Sequence, residues 1–111
     1  MAGLRDITIY KGDSYTHEVR IKDSLDDPID VTGRTYRVQM RKSKASESVI
    51  LEFDTSITDA ANGVVQFSLS SEDSSNISVG TYYYDFEENN GGYITTLMGG
   101  KLIITGEVTR G

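Results

Sequence analysis

An alternation of apolar and polar residues runs through most of this sequence and constrains its fold more than any other feature. Apolar side chains recur at every second position in short runs, which is the period of a β-strand with one buried face. The pattern predicts seven strands, at residues 7–9, 15–21, 36–40, 49–53, 65–69, 82–86 and 93 to about 108. Because each sheet would have one apolar face to cover, we expect two antiparallel sheets packed face to face.

Turn-forming segments separate the predicted strands. The sequences KGDS, DAANG and NNGG are rich in turn residues, and the only proline, Pro28, lies in the loop DSLDDP. The segment SSEDSSNIS has helix-capping residues but few apolar ones, so it predicts one helical turn at most. Gly99 and Gly100 interrupt the last strand, and we interpret them as a β-bulge.

The size of the chain, 111 residues, indicates one domain over residues 1–111. Its formal net charge is -6 and no basic block offsets it, so nucleic acid is a poor candidate partner. The chain has no cysteine, which excludes a disulfide framework and a thiolate metal site. We also find no signal-peptide core and no membrane-spanning run, so we expect synthesis in the cytoplasm and no membrane partner.

Three consecutive tyrosines precede the NNGG turn, and the alternation assigns them to two faces. Tyr82 and Tyr84 share the phase of Phe86, so we predict that both are core residues. Tyr83 has the opposite phase and should face solvent or an interface. Tyr93 follows the turn, and we expect it to lie near Tyr83 on the hairpin.

An apolar run in the last strand gives a further candidate contact. Ile103 lies between Leu102 and Ile104 and cannot share the inward face with both. It is either part of an interface or covered by loops of its own domain. Rigid aromatic and outward apolar side chains suit protein or sugar contacts, so the predicted interaction surface comprises Tyr83, Tyr93 and Ile103.

Catalysis finds little support in the sequence. The single histidine, His17, shares a strand face with Tyr15 and Val19, so we expect it to be partly buried and hydrogen-bonded. No phosphate-binding loop, nucleophile elbow or paired metal-ligand motif is present. We therefore expect no enzyme activity, no catalytic residue, no metal and no cofactor.

Two charged segments leave alternatives open. The acidic loop with Asp23, Asp26 and Asp27 could hold Ca²⁺, but it lacks the spacing of a calcium loop, and a solvated turn is the default interpretation. A basic segment could meet an acidic partner surface, although a solvated strand face explains it equally well. Its residues are Arg37, Arg41, Lys42 and Lys44.

Several segments resemble those of a known family. SSEDSSNISVGTYYYDF resembles the corner of immunoglobulin-like domains, where a polar turn leads into a tyrosine-rich strand. Over nearly its whole length the chain resembles the small immunoglobulin-like structural domain of tailed-bacteriophage virions, similar to the N-terminal domain of phage upper baseplate proteins. The pieces that carry this resemblance are Gly12-Asp13, Ile29-Asp30-Val31-Thr32-Gly33 before Tyr36-Arg37-Val38, and Gly80-Thr81-Tyr82-Tyr83-Tyr84-Asp85. The resemblance implies an all-β, immunoglobulin-like antiparallel β-sandwich of about seven strands.

The resemblance also implies a function. It indicates a non-enzymatic structural protein of the virion, a small module that docks on tail, baseplate, neck or capsid proteins in many copies within a symmetric assembly. We expect the protein to be made in the host cytoplasm and located in the virion. The second hypothesis is a carbohydrate-binding module for cell-surface glycans, with exposed tyrosines as stacking platforms. It ranks lower because Tyr83 and Tyr93 are its only good candidates and the chain has no tryptophan.

Overall fold

Eight strands and two short helices form the part of the chain that the computed structural model describes, residues 3–43 and 48–106. The strands are β1 (Gly3–Leu4), β2 (Ile7–Tyr10), β3 (Tyr15–Arg20), β4 (Thr35–Arg41), β5 (Leu51–Asp59), β6 (Val64–Leu69), β7 (Gly80–Asn90) and β8 (Tyr93–Thr105). A 3-10 helix spans Ala60–Asn62, and α1 spans Ser71–Ser75. Within these residues no helix has the length and apolar character needed to cross a membrane.

The strands hydrogen-bond in the order β1-β8-β7-β4-β5-β6-β3, and β2 also pairs with β8. β5 changes partner along its length, because residues 51–53 pair with β4 and residues from 54 onward pair with β6. It therefore divides the ladder into sheet A, which holds β1, β2, β8, β7, β4 and the start of β5, and sheet B, which holds the rest of β5, β6 and β3. The predicted all-β, immunoglobulin-like β-sandwich is confirmed.

The N-terminal strand pairs in parallel with the last strand. The register runs from Gly3 opposite Met98 to Tyr10 opposite Thr105 without a shift. β1 and β2 are thus two parts of one strand, interrupted only at residues 5 and 6. Counted in this way the sandwich has the seven strands that the alternation predicts, with one parallel pairing among antiparallel ones.

Aromatic rings from both sheets meet at the centre of the core. The ring centroid of Phe67 lies 5.5 Å from that of Phe53, 5.8 Å from that of Phe86 and 6.5 Å from that of Tyr84. Tyr82 and Tyr84 are both buried, so the prediction that they are core residues is confirmed. Burial of a large apolar side chain contributes about 1.5 to 3 kcal/mol, so this cluster is a main source of stability.

The predicted bulge at the paired glycines is wrong. Gly99 and Gly100 pair in register with β7, and the ladder shifts instead at Leu97, which is an extra residue of β8. A Cβ on Gly100 would lie 2.5 Å from the carbonyl oxygen of Arg5. The glycine therefore permits the close approach of the N-terminal strand, which the sequence of β8 does not reveal.

Other boundaries are close to prediction except at β7, which extends to Asn90, and at β5. β5 begins at Leu51, two residues after the predicted start at Val49. It continues to Asp59 because it pairs with β6, although its second half is polar and shows no alternation of apolar and polar residues. The predicted end of the last strand, near residue 108, lies outside the described residues. The NNGG turn is confirmed, and the N–H of Gly92 donates to Oδ1 of Asn89 at 2.8 Å.

Tyr82 forms a tyrosine corner at the start of β7. Its hydroxyl donates to the carbonyl oxygen of Ser78, four residues upstream, at 2.6 Å. This is the hydrogen bond that fixes the corresponding corner of immunoglobulin domains. The resemblance of this segment to an immunoglobulin-like corner is therefore confirmed by its geometry.

The short helix α1 is tied to the turn that follows β2. The hydroxyl of the buried Ser74 accepts from the N–H of Gly12 at 3.0 Å and donates to the carbonyl oxygen of Asp13 at 2.7 Å. At the start of the helix, the hydroxyl of Ser70 accepts from the N–H of Asp73 at 3.1 Å. The predicted helical turn is confirmed, and the Gly12-Asp13 piece is held by a serine that the sequence does not single out.

Removal of the Tyr82 hydroxyl should destabilise the domain by about 1 to 3 kcal/mol, because the carbonyl of Ser78 loses this donor. Tyr82→Phe keeps the buried ring, so urea unfolding should show a lower midpoint with an unchanged m value. Tyr93→Phe is the control, because the Tyr93 side chain is exposed and should not change the midpoint. Equal midpoints in the two variants would contradict a contribution from the corner.

Ser74→Ala should cost about 1 to 3 kcal/mol, because two backbone groups of the β2–β3 turn lose their partner on α1. The neighbouring Ser75→Ala removes an exposed hydroxyl that bonds only within α1, so we expect a change below about 0.5 kcal/mol. Differential scanning calorimetry of both variants measures the difference. Equal melting temperatures of the Ser74→Ala and Ser75→Ala variants would show that the hydrogen bonds of Ser74 to the β2–β3 turn contribute no stability.

Candidate docking face

The outer face of sheet A carries the candidate docking residues. Ile7, Ile9, Leu102 and Ile104 are buried against sheet B, so the residues that alternate with them point outward. At the end of the sheet where β2 stops, the outward side chains of β2, β8 and β7 carry no charge. We call these residues the uncharged face: Thr8, Tyr10, Thr81, Ile103 and Thr105.

Ile103 occupies the middle of the uncharged face. It lies opposite Thr8 of β2 on one side and opposite Thr81 of β7 on the other, so the three side chains form one row across three strands. In the next row Tyr10 lies opposite Thr105, and Tyr10 is 46% exposed. The structure therefore places Ile103 outward and partly buried, between two threonines.

Tyr83 lies beside the uncharged face on the same side of sheet A. It pairs with Lys101, one row from Ile103. It also lines a depression of 220 Å³ in which Gly99 provides no side chain and Arg41 is a further lining residue. The structure thus brings Tyr83 and Ile103 together, as outward neighbours on adjacent strands.

Tyr93 lies apart from the other two predicted surface residues. It pairs with Asn90, seven residues along β7 from Tyr83, which corresponds to about 23 Å at 3.3 Å per residue. Asn90 has the phase of the inward residues of β7, so Tyr93, 75% exposed, lies on the opposite face from Tyr83. The prediction that the two tyrosines lie near each other is wrong, because Tyr83 and Asn90, the partner of Tyr93, are separated by seven residues of β7, an odd number.

Much of the rest of the outer face is charged, and the arginines of β4 pair with carboxylates of the same domain. Arg37 donates to Glu87 at 3.0 Å and lies 3.8 Å from Glu52. Arg41 pairs with Asp85 at 3.3 Å. Each exposed pair contributes little stability, but together they neutralise the arginines of β4.

The other two residues of the basic segment differ from the arginines. Nζ of Lys42 lies 4.8 Å from the centroid of the Tyr82 ring, as a cation-π pair. Lys44 lies outside the described residues. The internal pairing of both arginines favours a solvated strand face over a binding site for an acidic partner.

A groove of 570 Å³ opens at the charged end, where β5 leaves β4. Its lining includes Glu52, Asp54 and Glu87, with Arg37 as the basic residue. In the described part of the chain no group of three acidic, histidine or cysteine residues could hold a metal ion. The groove is a hydrophilic recess at a sheet junction, and its charges are already partly paired.

The acidic loop has the geometry of a self-capped turn. Oδ1 of Asp23 accepts from the N–H of Leu25 at 2.9 Å and from the N–H of Asp27 at 3.0 Å. Asp26 has a φ of 66° and lies 3.5 Å from Nζ of Lys22. The first carboxylate thus holds the backbone of the loop, which favours the turn over the calcium alternative.

The hydroxyls of Tyr36 and Tyr84 also act as hydrogen-bond donors. Tyr36 donates to Glu88 at 2.6 Å, and Arg34 donates to the same carboxylate at 3.2 Å. Burial, and then the bond to Glu88, raise the pKa of Tyr36 well above its usual range. Tyr84 donates to the carbonyl oxygen of Arg5, and burial raises its pKa to about 12. Both hydroxyls are therefore structural groups that stay protonated.

Glu88 is the polar residue that the sequence analysis missed. It is 8% exposed and shares the inward phase of Phe86, so the alternation already placed it in the core. The signal was the inward phase of an acidic residue. Its partners, Tyr36 on β4 and Arg34 just before that strand, became visible only in the fold. The cluster of Glu88, Tyr36 and Arg34 satisfies a buried charge at one end of the sandwich.

His17 lies on the inward phase of β3. Its ring centroid is 5.3 Å from that of Phe67 and 6.3 Å from that of Tyr15. The histidine is partly buried, as predicted, but the described residues give its ring no hydrogen bond. Burial, and secondly the charge of Arg5, lower the pKa of His17.

Acid should destabilise the domain partly through His17. Because its pKa is lowered by folding, the unfolded chain binds more protons below about pH 6.5, and stability falls as the pH drops through this window. His17→Gln cannot be protonated and should lose less unfolding free energy than wild type between about pH 7 and about pH 5. Urea titrations at each pH measure this difference. Identical pH dependence in both proteins would contradict it.

Comparison with known protein families assigns the chain to one of them. The model of the LtfC-like β-sandwich domain matches residues 2–111. The chain belongs to the LtfC-like family. This family is associated with phage tail fibres, so the protein is a phage β-sandwich domain, which is consistent with a location in the virion. No curated protein matches the chain.

Proposed function

We propose that this LtfC-like domain is a non-enzymatic structural module of the virion that docks on other phage structural proteins through its uncharged face. The observation that carries the proposal is the outward position of Ile103 in a row without charge. On the same sheet the arginines and carboxylates of β4, β5 and β7 pair with one another. An uncharged face with an outward isoleucine, beside a face whose charges pair with one another, is a candidate for a protein contact.

Many copies would make a small docking face effective. Five side chains cover much less than the roughly 800 Å² per partner of a standard stable interface, so a single contact is weak. Repetition by the symmetry of a particle can raise the combined affinity by a factor of about 10² to 10⁴. Among tail, baseplate, neck and capsid, the tail-fibre association of the family favours the tail.

The carbohydrate-binding hypothesis loses its main support. It requires exposed aromatic rings on one surface, and Tyr83 and Tyr93 lie on opposite faces of the β7–β8 hairpin. Of these two tyrosines only Tyr83 lines a depression, next to the Arg41–Asp85 ion pair. We therefore do not propose a glycan-binding function.

Immunogold electron microscopy of purified virions tests the proposal. Antibody against this protein should label one repeated place on the particle, and a decoy serum should label none. Virions without label would overturn the structural role.

Ile103→Lys tests which face docks, because the lysine places a charge in the middle of the uncharged face. Tagged copies of this variant, supplied during infection, should be absent from purified virions. Ile94→Lys is the matched control, since Ile94 is an exposed residue of the same strand at the charged end. Both variants must first show a folded circular-dichroism spectrum. Incorporation of Ile103→Lys at the wild-type level would assign docking to another surface.

A further inference from the structure

We propose that Asn90, at the tip of the β7–β8 hairpin, is a site of spontaneous modification, where attack by the backbone nitrogen of Gly91 converts its carboxamide into a carboxylate. This inference goes beyond the proposed function and does not depend on it, because it concerns a covalent change in the chain itself. Asparagine precedes glycine at Asn62-Gly63 and at Asn90-Gly91, and the fold protects only the first of these pairs.

The reaction needs only the chain and water. The nitrogen of Gly91 bonds to Cγ of Asn90 and closes a succinimide ring, and the carboxamide nitrogen leaves as ammonia with the proton of the Gly91 N–H. Water then opens the ring at either carbonyl, so the product is a mixture of aspartate and isoaspartate. The net change is the gain of water and the loss of ammonia. Glycine favours the attack because it has no side chain to hinder the approach of its nitrogen.

The N–H group of Gly91 is available for this reaction. Gly91 and Gly92 have φ values of 60° and 95°, and they form the turn that follows the last ladder pair, Asn90 and Tyr93. In such a hairpin the ladder hydrogen bonds belong to the flanking residues, so the first N–H of the turn lies outside the ladder. Among the described residues nothing accepts a hydrogen bond from it, and Gly91 is exposed to solvent.

The side chain of Asn90 is not held by hydrogen bonds either. It is exposed, and in the described part of the chain its carboxamide forms no hydrogen bond. The neighbouring Asn89 differs, because its Oδ1 accepts from the N–H of Gly92 at 2.8 Å and the residue that follows it has a side chain. At the hairpin tip only Asn90 therefore combines an unbonded carboxamide with a glycine as the next residue.

Asn62-Gly63 shows how the fold blocks the same chemistry. The N–H of Gly63 donates to the carbonyl oxygen of Ala60 at 3.1 Å. Nδ2 of Asn62 donates to Oδ2 of Asp59 at 2.9 Å. Gly63 is also buried, and a Cβ there would lie 2.5 Å from the carbonyl oxygen of Ile29. Attack at this pair must therefore wait for local opening of the 3-10 helix and of the segment packed on it.

The products change the tip of the hairpin and leave the docking face intact. Either product adds a negative charge at Asn90 to the net charge of -6. Isoaspartate also inserts a carbon atom into the main chain, so the ladder pair with Tyr93 can no longer form in register. Ile103 pairs with Thr81 at the other end of the same two strands, so the uncharged face is not affected.

Peptide mapping of the aged protein tests the proposal. The folded full chain is incubated in mildly alkaline buffer, digested at intervals and analysed by mass spectrometry, with electron-transfer fragmentation to identify isoaspartate. Asn90 should be converted at least about 10-fold faster than Asn62, because opening of the protected pair breaks hydrogen bonds and exposes a buried glycine. Incubation in concentrated urea should bring the two rates together, since neither pair is then protected by the fold.

Asn90→Gln is the matched variant, because glutamine keeps the carboxamide but places it further along the side chain from the backbone nitrogen, which disfavours ring closure. The variant should lose the modification at the tip and leave the slow conversion of Asn62 unchanged. Equal rates at Asn62 and Asn90 in the folded protein would overturn the proposal. So would an Asn90 that stays unmodified while Asn62 reacts in urea, or a tip modification that persists in Asn90→Gln, which would assign it to Asn89.

The outcomes separate this inference from the proposed function. Labelled virions with an unmodified Asn90 would leave the virion role standing and overturn the modification site. A converted Asn90 with unlabelled virions would support the modification site and overturn the virion role.

Discussion

The packing of aromatic rings around Phe67 fixes the side-chain phase of the surrounding strands. Rings from β5, β6 and β7 meet there, between two sheets whose inner faces must exclude water. Once this contact has set which residues point inward, the outward set is determined, because a strand has only two faces. The uncharged row around Ile103 and the paired charges around Arg37 are both consequences of core packing.

The N-terminal strand is the third strand of the uncharged face, beside β8 and β7, and it forms one edge of sheet A. It lies against β8 because Gly100 has no side chain to obstruct Arg5, and the hydroxyl of Tyr84 holds the carbonyl of the same residue. Without this strand Ile103 would lie next to an open edge, and with it the open edge moves to β2. The missing side chain of Gly100 thus decides that the N-terminal strand, and not β8, forms this edge of sheet A.

Charge distinguishes the two ends of sheet A. At one end Arg37 and Arg41 pair with carboxylates of neighbouring strands, so that part of the face is hydrophilic and its arginines already have partners within the domain. At the other end threonines surround an isoleucine, and such a surface gains more from contact with protein than from contact with water. The net charge of -6 opposes nonspecific association, and the uncharged face is the place where a contact would desolvate no charged side chain.

The sequence by itself determined the strands, the burial of Tyr82 and Tyr84 and the outward phase of Ile103, because alternation is a local property of an extended chain. Tertiary structure alone decided the rest. Leu97 placed Tyr93 on the face opposite Ile103, since a bulge arises from the register between two strands and leaves no signature in either. The approach of Arg5 to Gly100 depends on residues about 95 positions apart in sequence, and only the folded chain brings them into contact.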